Sequence, residues 1–332
     1  MYKWLGISLA LALLFALNTL VSLAVSAVWR VWAPRAHAYA GRTRSRLLFA
    51  LRVLPGGVAL GGVALLVLAY LVNEPREAAE SVSFKLAVLA ALAAAGLLLA
   101  VWRGLAVCWT TRRLVRNWLR SAVPVELAGI TIPALRFAHS FPVLAVVGLW
   151  RPRLFIAEQL LTTLTPAELQ AALAHEMGHL SARDNLKRTA LRACRDVLML
   201  VPSGRALDAA WHEATEEAAD EFAVAAQPQT ALALAAALVK IARCAPLGVR
   251  AALPVQASFI ALAANEADAL LARRVKRLLQ LAESQPLQPQ ASSLWLRLGL
   301  FGLLAGLAAL LSNPLWLAAV HELNEAIVFS LR

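Results

Sequence analysis

Two histidines four residues apart, with a glutamate directly after the first, carry the chain's clearest chemistry: His175-Glu176-Met177-Gly178-His179. On a helix, positions i and i+4 share a face, so imidazoles at this spacing can grip one Zn²⁺. Glu176 lies toward the same side and can take a proton from metal-activated water, which makes it the expected catalytic base of a metal-assisted hydrolysis. The plain alternative is two surface histidines beside a stray acid. A catalytic zinc needs a third protein ligand and an open position. No third histidine follows His179 at short spacing, so the ligand is sought among Glu213, Glu216, Glu217, Asp220 and Glu221, which crowd one candidate helix. Glu216 is assigned to the metal because Asp220, four residues on, can accept the free N–H of a ligand histidine and fix its tautomer. Glu213 and Glu217 stay as rivals, and a solvated acidic face is the alternative for all five. His212, one turn before Glu216, is placed as a helper or bystander beside the metal. One zinc per chain is expected.

These residues need rigid elements under them. Thr165-Pro166-Ala167-Glu168 marks a helix start: Thr165 can cap, Pro166 suits the first helical position, and Glu168 completes a capping box. The helix should run through His179 to about 182, before the polar stretch 181–185. The acidic residues fall on a helix expected over 205–226, and further helices are expected over 230–243 and 257–281. The stretch 142–157 reads as two short strands around a Gly/Pro turn, where the strand near Phe155 would hold an extended substrate by edge pairing. Residues 283–293 read as a linker. The unit from 109 to 293 is therefore mainly helical with a small sheet.

Composition places this unit in a membrane setting. Of 332 residues, 60% are hydrophobic and 16% charged, and the mean hydropathy is +0.66. A soluble core could not hide that much apolar material, which excludes a purely soluble or a disordered protein. Four segments reach spanning length: 4–28, 54–72, 86–108 and 294–311. The first run is too long for a secretory signal core and is read as a retained helix. Between the first two spans lie Arg30, Arg35, Arg42, Arg44, Arg46 and Arg52 with no acid among them, and Arg112, Arg113, Arg116 and Arg120 follow the third. The positive-inside rule puts these regions in the cytoplasm, with the N-terminus and the loop holding Glu74, Glu77 and Glu80 outside. The net charge of +12 is thus read as orientation and lipid contact, not nucleic-acid binding. Cys108, Cys194 and Cys244 lie too far apart for a disulfide scaffold or a thiolate zinc site. The motif helix, bounded by Glu168 and Arg183-Asp184, is too short and too polar at its ends for an intramembrane protease. The expected organisation is 1–108, three transmembrane helices with a basic cytoplasmic loop; 109–293, the zinc domain; and 294–332, a fourth transmembrane helix and a short outer tail.

In order along the chain, 148–157, 164–169, Leu173-Ala-His-Glu-Met-Gly-His179 with Arg183-Asp184-Asn185, Glu216-x-x-x-Asp220 and Arg273-Arg-Val-Lys-Arg-Leu278 together resemble the BlaR/MecR-type membrane metallopeptidases, peptidase family M56. The resemblance implies a gluzincin, with zinc on His175, His179 and Glu216 and with Glu176 as base. The neighbouring HtpX-like and CAAX-prenyl-protease-like peptidases, family M48, share almost all of these pieces; three preceding spans and Arg183-Asp184-Asn185 tilt the resemblance to the BlaR/MecR type. The β-lactam receptors of that family carry a sensor after the fourth span. With the chain ending at Arg332 and no Ser-x-x-Lys, antibiotic sensing is not expected. The expectation is a zinc-dependent endopeptidase of the bacterial inner membrane, facing the cytoplasm, that cuts a cytoplasmic or membrane-associated protein, a transcriptional repressor for instance, in regulatory signalling. The alternatives are an HtpX-like quality-control protease and a non-cleaving membrane signalling protein.

Overall fold

The computed structural model describes residues 2–36, 38–73, 82–193, 204–226, 229–244, 264–283, 302, 306, 309 and 313–331. It opens with three helices, α1 (Tyr2–Ala36), α2 (Gly41–Asn73) and α3 (Phe84–Leu119), each long and apolar enough to cross a membrane. At about 1.5 Å per residue each is longer than the roughly 30 Å of bilayer hydrocarbon. Set across a bilayer, all three would project beyond the lipid. The arginine-rich stretch expected as a loop is helix on both sides of a short turn at residues 38–40. Hydropathy marks where the lipid ends, whereas Arg, Leu and Ala continue a helix readily into water. The expected fourth span and the linker lie almost wholly outside the described residues, as does the loop with Glu74, Glu77 and Glu80. The stretch expected as a short outer tail is an 18-residue helix, α10 (Pro314–Leu331), resting against α2.

Beyond α3 come four strands, β1 (Val123–Pro124), β2 (Ala134–Phe137), β3 (Leu144–Val147) and β4 (Arg153–Ala157), in the order β1-β2-β4-β3. β3 and β4 are the antiparallel pair expected from the sequence, with Ala145 opposite Phe155. β2 pairs parallel with β4, and β1 antiparallel with β2. Both are short, with a proline in β1 and an arginine in β2, and neither shows the alternation that announces a strand. The topology corrects the substrate expectation. β4, with Phe155, has neighbours on both sides and no free edge. The outer strand is β3, and at Val146 its outward groups are taken: the N–H donates to Glu176 and the carbonyl accepts from the Asn185 amide.

Side chains alternate across the sheet, as the period of two requires. Leu144, Val146, Leu154 and Ile156 enter one core with α5 (Pro166–Ser181), α8 (Thr230–Cys244) and α9 (Ala264–Glu283). Ala145, Val147, Phe155 and Ala157 enter a second core against Trp118, in the last turn of α3. The last turns of α3 thus belong to the domain's packing. The short helices α4 (Glu158–Thr163) and α6 (Asp184–Ala193) flank α5, and α7 (Gly204–Ala226) packs across it. α7 also meets the projecting ends of α1 and α2: Leu207, Trp211 and Ala214 share a buried cluster with Val25 and Leu48. Polar links fasten the same joint. The Gly41 amide donates to Glu221 at 2.9 Å, Arg44 pairs with Glu217 at 3.1 Å, and Arg52 pairs with Asp208 at 2.9 Å. Gly41 has to be glycine here, because a Cβ would stand 2.7 Å from the Ala218 backbone nitrogen.

Candidate metal centre

α5 begins as its sequence predicts. The Glu168 amide donates to the Thr165 hydroxyl at 3.4 Å and the Thr165 amide to the Glu168 carboxylate at 2.8 Å, closing the capping box ahead of Pro166. Two turns on, His175 and His179 point the same way, with their Nε2 atoms 3.2 Å apart. α7 packs close over this face. A Cβ on Gly178 would stand 3.1 Å from the Ala219 Cα, so the motif's glycine lets the two helices approach. The approach brings Glu216 between the imidazoles, its oxygens 3.6 Å from His175 Nε2 and 3.6 Å from His179 Nε2. Donor atoms of His175, His179 and Glu216 all lie within 4.8 Å of one another, and all three residues are buried.

The donor set suits zinc. Tetrahedral bonds of about 2.0–2.1 Å put ligand atoms about 3.3 Å apart, close to the imidazole spacing seen here. Neither Glu216 oxygen has a hydrogen-bond partner among the described residues, although both are buried. Burial alone would raise the Glu216 pKa, but the two imidazoles and Arg274 outweigh it and hold the carboxyl well below its usual range. It is an ionised acid whose buried oxygens lie between the two imidazoles, as a metal ligand requires.

Each imidazole is backed by an aspartate. Asp220 Oδ1 stands 2.9 Å from His175 Nδ1, the pairing proposed from the sequence. Asp184 Oδ2 stands 2.9 Å from His179 Nδ1, a partner to which the sequence reading gave no role. Against the desolvation that would lower it, the charge of Glu216 and the hydrogen bond to Asp184 raise the His179 pKa to about 9. A second unassigned residue, Arg274 on α9, lies half-buried beside the centre. It forks onto both Asp220 oxygens, at 2.7 and 3.0 Å, and reaches Glu216 at 3.1 Å.

Glu176 sits beside the triad with burial raising its carboxyl pKa. Its Oε2 accepts from the Val146 amide at 3.1 Å, and its Oε1 has no hydrogen-bond partner among the described residues. The rivals for the metal are engaged elsewhere. Glu213 pairs with Arg273 at 3.3 Å, and Glu217 pairs with Arg44 and Arg277. His212 stands off, its Nδ1 3.9 Å from Glu216. His139 hydrogen-bonds the backbone of its own turn at Phe141, a structural use.

Two histidines and a glutamate from facing helices form a group that could hold a metal ion, with a second glutamate beside them. The profile of peptidase family M48 matches residues 145–312, about half of the chain, and the chain belongs to that family. Together with three helices fit to cross a membrane, this makes it a membrane-associated protease of metallopeptidase type. The match falls on the neighbouring family named from the sequence and does not support the BlaR/MecR-type assignment, so the signalling role tied to that likeness is left without support. No curated protein matches the chain.

Proposed function

We propose that the chain is an integral membrane zinc endopeptidase of the HtpX-like, quality-control kind, which cuts misfolded membrane or membrane-associated proteins. His175, His179 and Glu216 hold the zinc, Glu176 is the base, Asp220 supports His175, and His212 stays outside the ligand set. The observation that carries this reading is the meeting of three buried donors beside a carboxylate whose Oε1 is unengaged. The fastening of α1 and α2 onto α7 supports a membrane-linked substrate, because it ties the site to the spans. Residues 1–108 supply the first three spans, 109–293 the peptidase domain, and 294–332 a fourth span with α10. The N-terminus lies outside the bacterial inner membrane and the site faces the cytoplasm, following the arginines.

A bound zinc supplies Lewis-acid polarisation of the peptide carbonyl and lowers the pKa of water. The protein's own groups do the rest. Asp220 and Asp184 fix both Nδ1–H tautomers and leave each Nε2 lone pair for the ligand point. The Val146 amide holds Glu176 by Oε2, so Oε1 takes the proton of the attacking water and then delivers it to the leaving amine. Glu176→Gln keeps shape but not basicity. It should bind about one zinc per chain and cleave a casein-type substrate at least ~100-fold more slowly. Wild-type cleavage by this variant would remove Glu176 as the base, and full zinc retention in the His175→Ala, His179→Ala double variant would place the metal elsewhere.

A further inference from the structure

The last turns of α3 carry a feature that the peptidase site does not use. Leu114, Val115, Trp118 and Leu119 pack inward against the sheet. The outward face presents Trp109, Arg113, Arg116, Asn117 and Arg120, at the helical spacing of one continuous stripe, and these five residues line an open cleft of about 470 Å³. The Arg113 guanidinium lies 5.6 Å over the Trp109 ring. Among the described residues, no carboxylate comes within ion-pair distance of Arg113, Arg116 or Arg120. By contrast, Arg44, Arg52, Arg274 and Arg277 around α7 are each matched by an acid. Three uncompensated guanidiniums on one wall repel one another, and they are stable together when an anion sits between them. Position says which anion. The stripe begins directly after the third apolar span, at the depth where tryptophan marks a membrane interface and where lipid phosphates lie.

We propose that this cleft binds the phosphodiester headgroup of an anionic phospholipid, with Arg113, Arg116 and Arg120 on the phosphate, the Asn117 amide on the glycerol and Trp109 against the upper acyl carbons. Arginine suits the role because its planar fork matches phosphate oxygens bidentately. The lipid holds α3 at a fixed depth, and the sheet that carries Val146 stacks on the same helix. This assignment is independent of the catalytic reading and stands or falls on lipid binding alone.

The test uses the full chain in neutral detergent, where no charged bilayer surface exists, titrated with short-chain phosphatidylglycerol and read by native mass spectrometry. At about fivefold per arginine, the R113Q/R116Q/R120Q variant should bind about a hundredfold more weakly. The R30Q/R35Q/R42Q variant removes equal charge from the α1–α2 end and should bind as the wild type does. Phosphatidylcholine, with the same chains and no net charge, should not saturate. All six arginines are exposed, and an unchanged helical circular dichroism spectrum and melting transition show that the variants are folded. Equal losses in both triple variants would show diffuse charge attraction and overturn the site. Displacement of the lipid by millimolar inorganic phosphate would assign the cleft to a free anion and overturn the lipid reading.

Discussion

Behind each imidazole of the motif stands a carboxylate, and the two are delivered in different ways. Asp220 shares α7 with Glu216, one turn apart, so helical spacing alone exposes it. Asp184 reaches His179 across a break: α5 ends at Ser181, Arg183 turns through φ 55°, and α6 starts at Asp184. An offset of five residues across such a turn follows no helical rule, and for this reason the sequence shows Asp184 only as part of a motif. Arg274 is less legible still, since nothing in its spacing ties it to residues some fifty positions earlier. Asp184→Asn and Asp220→Asn should each weaken zinc by roughly 10–100-fold in chelator competition, through loss of a histidine's orienting acceptor. Arg274→Gln should weaken it comparably, by freeing Asp220 to turn from His175. Unchanged affinity in Asp184→Asn would leave His179 held by packing alone.

At the level of helices, α7 is a two-sided device. Glu216 and Asp220 face His175 on α5, while Glu217 and Glu221, one position round, face the start of α2. α9 answers both pairs, with Arg274 on the first and Arg277 on the second. The helix boundaries of α5, α7 and α8 were readable because caps and apolar periodicity are local. The contacts of Glu217 and Glu221 were not, because their partners lie in what hydropathy treats as a loop. α5 allows a test at this scale. Desolvation would raise the Glu168 pKa, but the Lys240 ammonium at 2.7 Å and the Thr165 amide and hydroxyl lower it below 4.5. The ionised carboxylate therefore stabilises the fold above pH 4.5, and that contribution disappears as the pH falls through the lower folded value. Glu168→Gln should cost about 1 kcal/mol at neutral pH, with the gap to wild type closing in acid when melting is followed by tryptophan fluorescence. A gap that persists unchanged at low pH would mean that charge plays no part in the cap.

For the whole molecule, the sequence made three of the spans legible, since length and hydropathy need no tertiary information. It did not reveal how far the helices outrun the bilayer. The orientation drawn from the arginines has a direct check. Single cysteines near Glu77 should label from the periplasm in intact cells, and those near Thr230 only after permeabilisation. Labelling of both from the same side would overturn the arginine argument.

The joint at Gly41 makes the protein a ruler. α2 runs as unbroken helix from Gly41 to the start of its apolar span at Leu54, which at about 1.5 Å per residue is about 20 Å. α7 lies along that strut, tied at Gly41 through Glu221 and at Arg52 through Asp208, so the site on its other face is held at a fixed height. A chain anchored in the same bilayer must cross that gap in extended form, at about 3.3–3.6 Å per residue. Its first cleavable bond should therefore lie a fixed few residues from its own membrane boundary, however attractive the sequence closer in. Peptide mapping of a single-span substrate with a sliding recognition segment should show a bare zone of that length.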